Sequence, residues 1–156
     1  MHRNVAIVVE AARTLGLDVT PREFSESTRT AAEAAAAIGA ELGQIVKSLV
    51  FTVDDRVVLA LVPGDRQLDE HKLAAVAGGT AAARPDADAV RAATGFPVGG
   101  VPPFGHATAL PVYVDKGLLR YREVWAAAGT PHVNFAVDPE RLVAATGGTV
   151  ADLARG

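Results

Sequence analysis

Two apolar runs separated by an Asp-Asp turn constrain this chain most. Ile45–Val53 reads as a strand, Asp54-Asp55 as the turn, and Val57–Val62 as the returning strand. Strand side chains alternate between faces, so Ile45, Lys47, Leu49, Phe51 and Val53 share one face and Val46, Ser48, Val50 and Thr52 the other. Both faces are largely apolar, which requires cover on both sides. A closed or partly closed barrel would supply it. Lys47 sits within the more apolar face, where a charge is costly unless its head reaches water or a partner. It reads either as a snorkelling side chain or as an ammonium aimed into a cleft to meet an anion.

The flanking chain supplies short helices and further strands. Val5, Val8, Val9, Ala12 and Leu15 recur at helical spacing before Gly16, predicting a helix over 3–15. Leu17–Phe24 suits a strand, pushed to a sheet edge by Pro21. Thr30-Ala-Ala-Glu33 is a capping box opening an alanine-rich helix that ends at Gly39. Asp69 caps a helix over Glu70–Ala77, and Asp86 or Asp88 opens another that stops at Gly95. Ala81–Arg84, Pro111–Asp115, Glu123–Ala128 and His132–Val137 read as strands; Lys116-Gly117 is a turn and Leu118–Arg122 is ambiguous. Asp138 and Pro139 begin a helix through Thr146, and Ala151–Gly156 reads as a tail or frayed helix. About seven strands and four or five helices, not in strict alternation, give an α+β fold: a mixed, mostly antiparallel, barrel-like sheet surrounded by short helices. The length of 156 residues suits a single domain over 1–156.

Composition excludes several chemistries. There is no cysteine, hence no thiolate nucleophile and no zinc-cysteine site. The four histidines, His2, His71, His106 and His132, lack metal-ligand spacing, and no serine lies in a nucleophile elbow. No metal or organic cofactor is expected. Asp65 and Asp115 read as turn residues, or else as a general acid/base or a partner for the lysine. The start lacks a signal peptide and no run approaches the ~18 apolar residues of a membrane span, so a cytoplasmic location is expected. A net charge of −3 argues against broad, charge-driven binding to nucleic acid. It leaves room for a local basic rim drawn from residues such as Arg22, Arg29, Lys47, Arg66 and Arg84.

The second notable stretch is Gly99-Gly100-Val101-Pro102-Pro103-Phe104-Gly105-His106. Prolines stiffen it, and glycines let backbone N–H groups approach a ligand. A rigid structural turn is the other reading. It is neither a P-loop nor a dinucleotide fingerprint.

Arg29-Thr30-Ala31-x-x-Ala34-Ala35, Gly43-Gln44-Ile45-Val46-Lys47-Ser48-Leu49-Val50-Phe51, Pro63-Gly64-Asp65 and Gly95-Phe96-x-x-Gly99-Gly100-Val101-Pro102-Pro103-Phe104-Gly105 together resemble the YbaK/prolyl-tRNA-synthetase-associated family. The resemblance runs from about Val5 to Leu153. It implies an aminoacyl-tRNA deacylase of the free-standing, trans-editing type, hydrolysing the ester of a wrong small amino acid on tRNA. It implies the tRNA acceptor end as partner, with an aminoacyl-tRNA synthetase as a further one, and neither DNA nor membrane. The family lysine falls on Lys47 and the loop on Gly99, Gly100, Pro102 and Gly105. Lys47, Gly99 and Gly100 are the expected catalytic residues; Phe24, Thr30, Ser48, Pro102, Gly105, His106, His132 and Asn134 are the expected substrate contacts. Where cysteine-directed members carry serine and aspartate, this chain has Ala127 and Asn134, and His132 resembles a histidine of alanine-directed members. Alanine, serine or threonine, and cysteine all stay open as the amino acid removed. A non-catalytic module that binds aminoacyl-tRNA or a synthetase is the alternative.

Overall fold

The computed structural model describes residues 2–156. In chain order the elements are α1 (Arg3–Thr14), β1 (Arg22–Glu23), α2 (Ala31–Ile38), β2 (Val46–Val53), β3 (Arg56–Pro63), α3 (Glu70–Val76), β4 (Ala82–Ala83), α4 (Ala87–Thr94), β5 (Val112–Asp115), β6 (Val124–Ala127), β7 (Val133–Val137), α5 (Pro139–Thr146) and β8 (Thr149–Ala151). Short 3₁₀ turns cover Leu42–Gln44 and Lys116–Arg120.

The predicted hairpin is the frame. β2 and β3 pair antiparallel from Val46↔Pro63 to Val53↔Arg56. Asp54 and Asp55 both take positive φ, 49° and 69°, the conformation a tight two-residue hairpin turn requires. The Asp54 carboxylate accepts the Thr80 and Ala81 N–H groups and the Thr80 hydroxyl, which fixes the turn and brings in β4. The sheet runs β4-β2-β3-β5-β8, with β3–β5 and β5–β8 parallel. A second, antiparallel sheet runs β1-β7-β6.

The fold is α+β and mixed, as expected, but no barrel closes. Two cores explain the doubly apolar hairpin. Val46, Val50, Leu59 and Leu61 face a large core shared with α1, the second sheet and the Gly-Pro loop. Phe51, Val53, Val58, Ala60 and Val62 face a smaller one under α3, closed by Leu153. The two sheets meet at β2 through one parallel bridge, Ile45↔Trp125. β4 pairs with β2 only at Thr52 and Val53. Between these points the outer edge of β2 has no strand partner among the described residues.

Three local expectations change. The strand over 17–24 shrinks to Arg22–Glu23, because Leu17 turns into the core instead of pairing. The ambiguous stretch is the 3₁₀ turn Lys116–Arg120, which also absorbs the expected Lys116-Gly117 turn and is capped by the Asp115 carboxylate. The C-terminal stretch is neither tail nor frayed helix. β8 adds parallel to β5, Leu153 is fully buried, and its N–H donates to the buried Asp115 carboxylate. Among the described residues no helix is long and apolar enough to cross a membrane.

Candidate functional site

The Gly-Pro loop leaves α4 at Gly95, in the left-handed conformation, and is held from behind. Phe96, Val101 and Phe104 are core residues. His106 Nε2 lies 2.7 Å from the Pro102 carbonyl, and its ring meets Phe96 edge-on. A carbonyl can only accept, so Nε2 carries the proton. Burial lowers the pKa of His106, and the Pro102 hydrogen bond opposes that shift. The Gly100 N–H donates to the Pro97 carbonyl, so this donor is already engaged.

Two glycines are required by close approach. A β-carbon on Gly99, whose φ is +88°, would lie 2.5 Å from Arg29 Cγ. One on Gly100 would lie 3.1 Å from the Gly129 carbonyl and Thr130 Cα. The loop therefore supports the Arg29 stem on one side and abuts the 129–130 backbone on the other.

In front of the loop, at the open edge of β2, lies a slit of about 100 Å³. Ser48, Val50, Phe51, Arg84, Val98 and Gly99 are among its walls. Pro85, following Arg84, lacks an N–H and cannot prolong the β4 ladder, which keeps the edge open. The slit straddles the two faces of β2. On one face the Arg84 guanidinium stands 5.5 Å over the Phe51 ring. Lys47 shares that face, half-buried, with its ammonium donating to the Arg66 carbonyl. Burial lowers its pKa, Asp65 opposes the shift, and Arg84 adds to it. On the other face Ser48 lies between Val46 and Val50. Arg29 and Arg84 enter no ion pair among the described residues, whereas Asp65 pairs with Arg120 at 3.3 Å. Arg84 in the wall and the Arg29 stem against Gly99 bring two arginines to a narrow, mostly apolar cleft; Lys47 is not among its walls.

The other predicted contacts fall into separate places. The Phe24 N–H donates to the His132 carbonyl. His132 Nδ1 lies 3.1 Å from the Glu26 carbonyl, and Asn134, buried, donates to the Thr28 hydroxyl at 2.6 Å. These contacts stitch 24–28 to 131–134, beside a hollow of about 510 Å³ lined by His2, Glu23, Thr130 and His132. Gly100, against Gly129 and Thr130, is one link between this seam and the slit's loop, and the Phe104–Phe135 ring contact at 5.6 Å is another. Pro102, Gly105 and His106 form the loop's other side; Gly105 packs on Ala11 of α1. The Thr30 hydroxyl caps α2, accepting from the Glu33 N–H at 3.1 Å. Sequence reasoning named Arg29 and Arg84 only as available cations and missed Val98. The Arg84-Pro85 pair after a short strand was the readable signal. No cluster of three or more potential metal ligands occurs among the described residues.

The aminoacyl-tRNA editing domain model matches residues 25–145, a span that contains β2, the loop and the seam. The chain belongs to the aminoacyl-tRNA editing domain family. Among similar proteins is one from Enterococcus faecalis named "Putative Cys-tRNA(Pro)/Cys-tRNA(Cys) deacylase EbsC", 30% identical over 83% of this chain and 80% of that one. The proline–tRNA ligase of Thermosipho africanus is 34% identical over 77% of this chain but only 20% of the ligase. A solved structure described as "a putative trans-editing enzyme for prolyl tRNA synthetase" superposes with a TM-score of 0.94 at 47% identity, covering 100% of this chain and 99% of that one. The editing-domain fold thus occurs both at this size and as part of a much longer ligase.

Proposed function

We propose that this editing domain is an aminoacyl-tRNA deacylase that works in trans, in the cytoplasm, on tRNA carrying a wrong small amino acid, with tRNA-Pro as the cognate tRNA. The observation that carries the proposal is a narrow slit beside Gly99 with Arg84 in its wall and the Arg29 stem against Gly99, two arginines that enter no ion pair among the described residues. An acidic protein that concentrates free cations at one narrow cleft is suited to gripping the phosphates of a single strand end without binding duplex broadly. The named substrates of the relatives support the tRNA assignment, and kinship with proline–tRNA ligases supports both tRNA-Pro and a synthetase as second partner.

The reaction needs little from the protein. Water attacks the ester carbonyl carbon, directly or after the vicinal ribose hydroxyl has first taken the acyl group to give the isomeric ester. The tetrahedral intermediate formed by water expels the ribose oxygen, which takes up the proton that the water gives up, and the free amino acid leaves. Lys47 acts as a point charge for the terminal phosphate or ribose. The Gly99–Gly100 loop orients the ester against the slit. The slit's volume excludes large side chains, the logic of a second sieve.

The test is a deacylation time course on alanyl-, seryl-, threonyl-, cysteinyl- and prolyl-tRNA-Pro, with wild type beside Lys47→Ala. Wild type turns over at least one mischarged member and spares prolyl-tRNA; Lys47→Ala, folded, loses about 100-fold or more. Stoichiometric binding without turnover would instead establish the non-catalytic module.

A further inference from the structure

The slit contains one polar side-chain atom whose requirement is unmet. Ser48 Oγ is shielded from solvent and has no hydrogen-bond partner among the described residues. By strand alternation it lies on the face of Val46 and Val50, which pack in one core with Val90 and Val101. Val50, Val90 and Val101 are themselves walls of the slit, so the hydroxyl is set among apolar groups at the place where a ligand would enter. A shielded hydroxyl with no partner is costly in the empty protein. A valine or alanine would fill this position without that cost, so the hydroxyl is explained by a partner that arrives with the ligand.

We propose that Ser48 is a specificity residue that selects a small amino acid bearing a side-chain hydroxyl, serine foremost, over alanine. The proposal rests on the deacylase reading for its reaction but not for its binding site. Of the candidate side chains, alanine leaves the Ser48 hydroxyl unpaired. Serine adds one oxygen that can accept from it or donate to it. A pocket that offers a hydrogen bond disfavours the analogue that lacks the group, because its own hydroxyl is then left unpaired. One such bond in a small slit corresponds to about a tenfold preference.

The experiment compares wild type, Ser48→Ala and Ser48→Val on seryl- and alanyl-tRNA-Pro. It also measures binding of the matching non-hydrolysable seryl- and alanyl-amido-adenosine monophosphates. Wild type should favour the seryl substrate in kcat/KM and the seryl analogue in affinity by about tenfold. Ser48→Ala should remove that preference in both assays by weakening the seryl member, and Ser48→Val should exclude both. Because the native hydroxyl lacks a protein partner, Ser48→Ala should keep or raise the melting temperature. A wild-type preference for alanine, an equal effect of Ser48→Ala on both members, or a lowered melting temperature overturns the proposal. Absence of turnover with an intact seryl binding preference would overturn the deacylase reading alone.

Discussion

Gly100 shows what a single residue contributes to this site. The atoms facing its missing β-carbon are backbone, at 3.1 Å, and cannot swing aside. Its φ is not positive, so Gly100→Ala tests close approach without left-handed strain. The expected cost is about 1–3 kcal/mol in urea melts, with reduced turnover because the loop is pushed off the 129–130 segment. Unchanged stability and turnover would contradict the contact. At this scale the sequence was informative wherever the governing partner is close in the chain. The Thr30–Glu33 capping box is a local pattern and forms as written. The face shared by Lys47, Leu49, Phe51 and Val53 follows from alternation alone. The partners of His132 and Asn134 lie 106 positions away, at Glu26 and Thr28, and no local pattern could announce them. The hold of the Arg66 carbonyl on Lys47 was hidden for the same reason.

The loop from Phe96 to His106 behaves as one element because His106 clamps it. Burial places the folded-state pKa of His106 below its ordinary value. As pH falls, the unfolded chain therefore takes up the proton first, so the stability from the neutral ring is complete above about pH 6.5 and is lost as pH falls through the lower folded value. Wild type should lose stability as pH falls below about 6.5, while His106→Gln, which keeps a donor for the Pro102 carbonyl but does not titrate, should lose less. Urea melts across that range check this; parallel curves for both proteins would refute it. Among elements, the helices were the most readable, since their caps are local: Asp69, Asp86 and Asp138 at starts, Gly39, Gly95 and Gly147 at ends. The edge strands were least readable. β1 has two residues and β8 three, and each exists only through a strand distant in sequence.

Across the whole molecule, one hairpin separates two cores, and the gap between its two edge partners leaves the slit. The sequence showed that both faces of the hairpin needed cover. It did not show that α3 and Leu153 supply one cover while α1, the loop and the second sheet supply the other, because that division depends on how the elements dock. The position of the slit, with Ser48 and Gly99 among its walls, follows from the same docking and could not be read from the sequence. The central claim is that the aminoacyl end of a tRNA enters at the open edge of β2. The most direct test is an amide-resolved NMR titration with a non-hydrolysable aminoacyl-amido-adenosine monophosphate. The account predicts shifts concentrated at Ser48, Val50, Phe51, Gly99 and Val101. Shifts confined to the hollow of His2, Glu23, Thr130 and His132, with β2 silent, would contradict it.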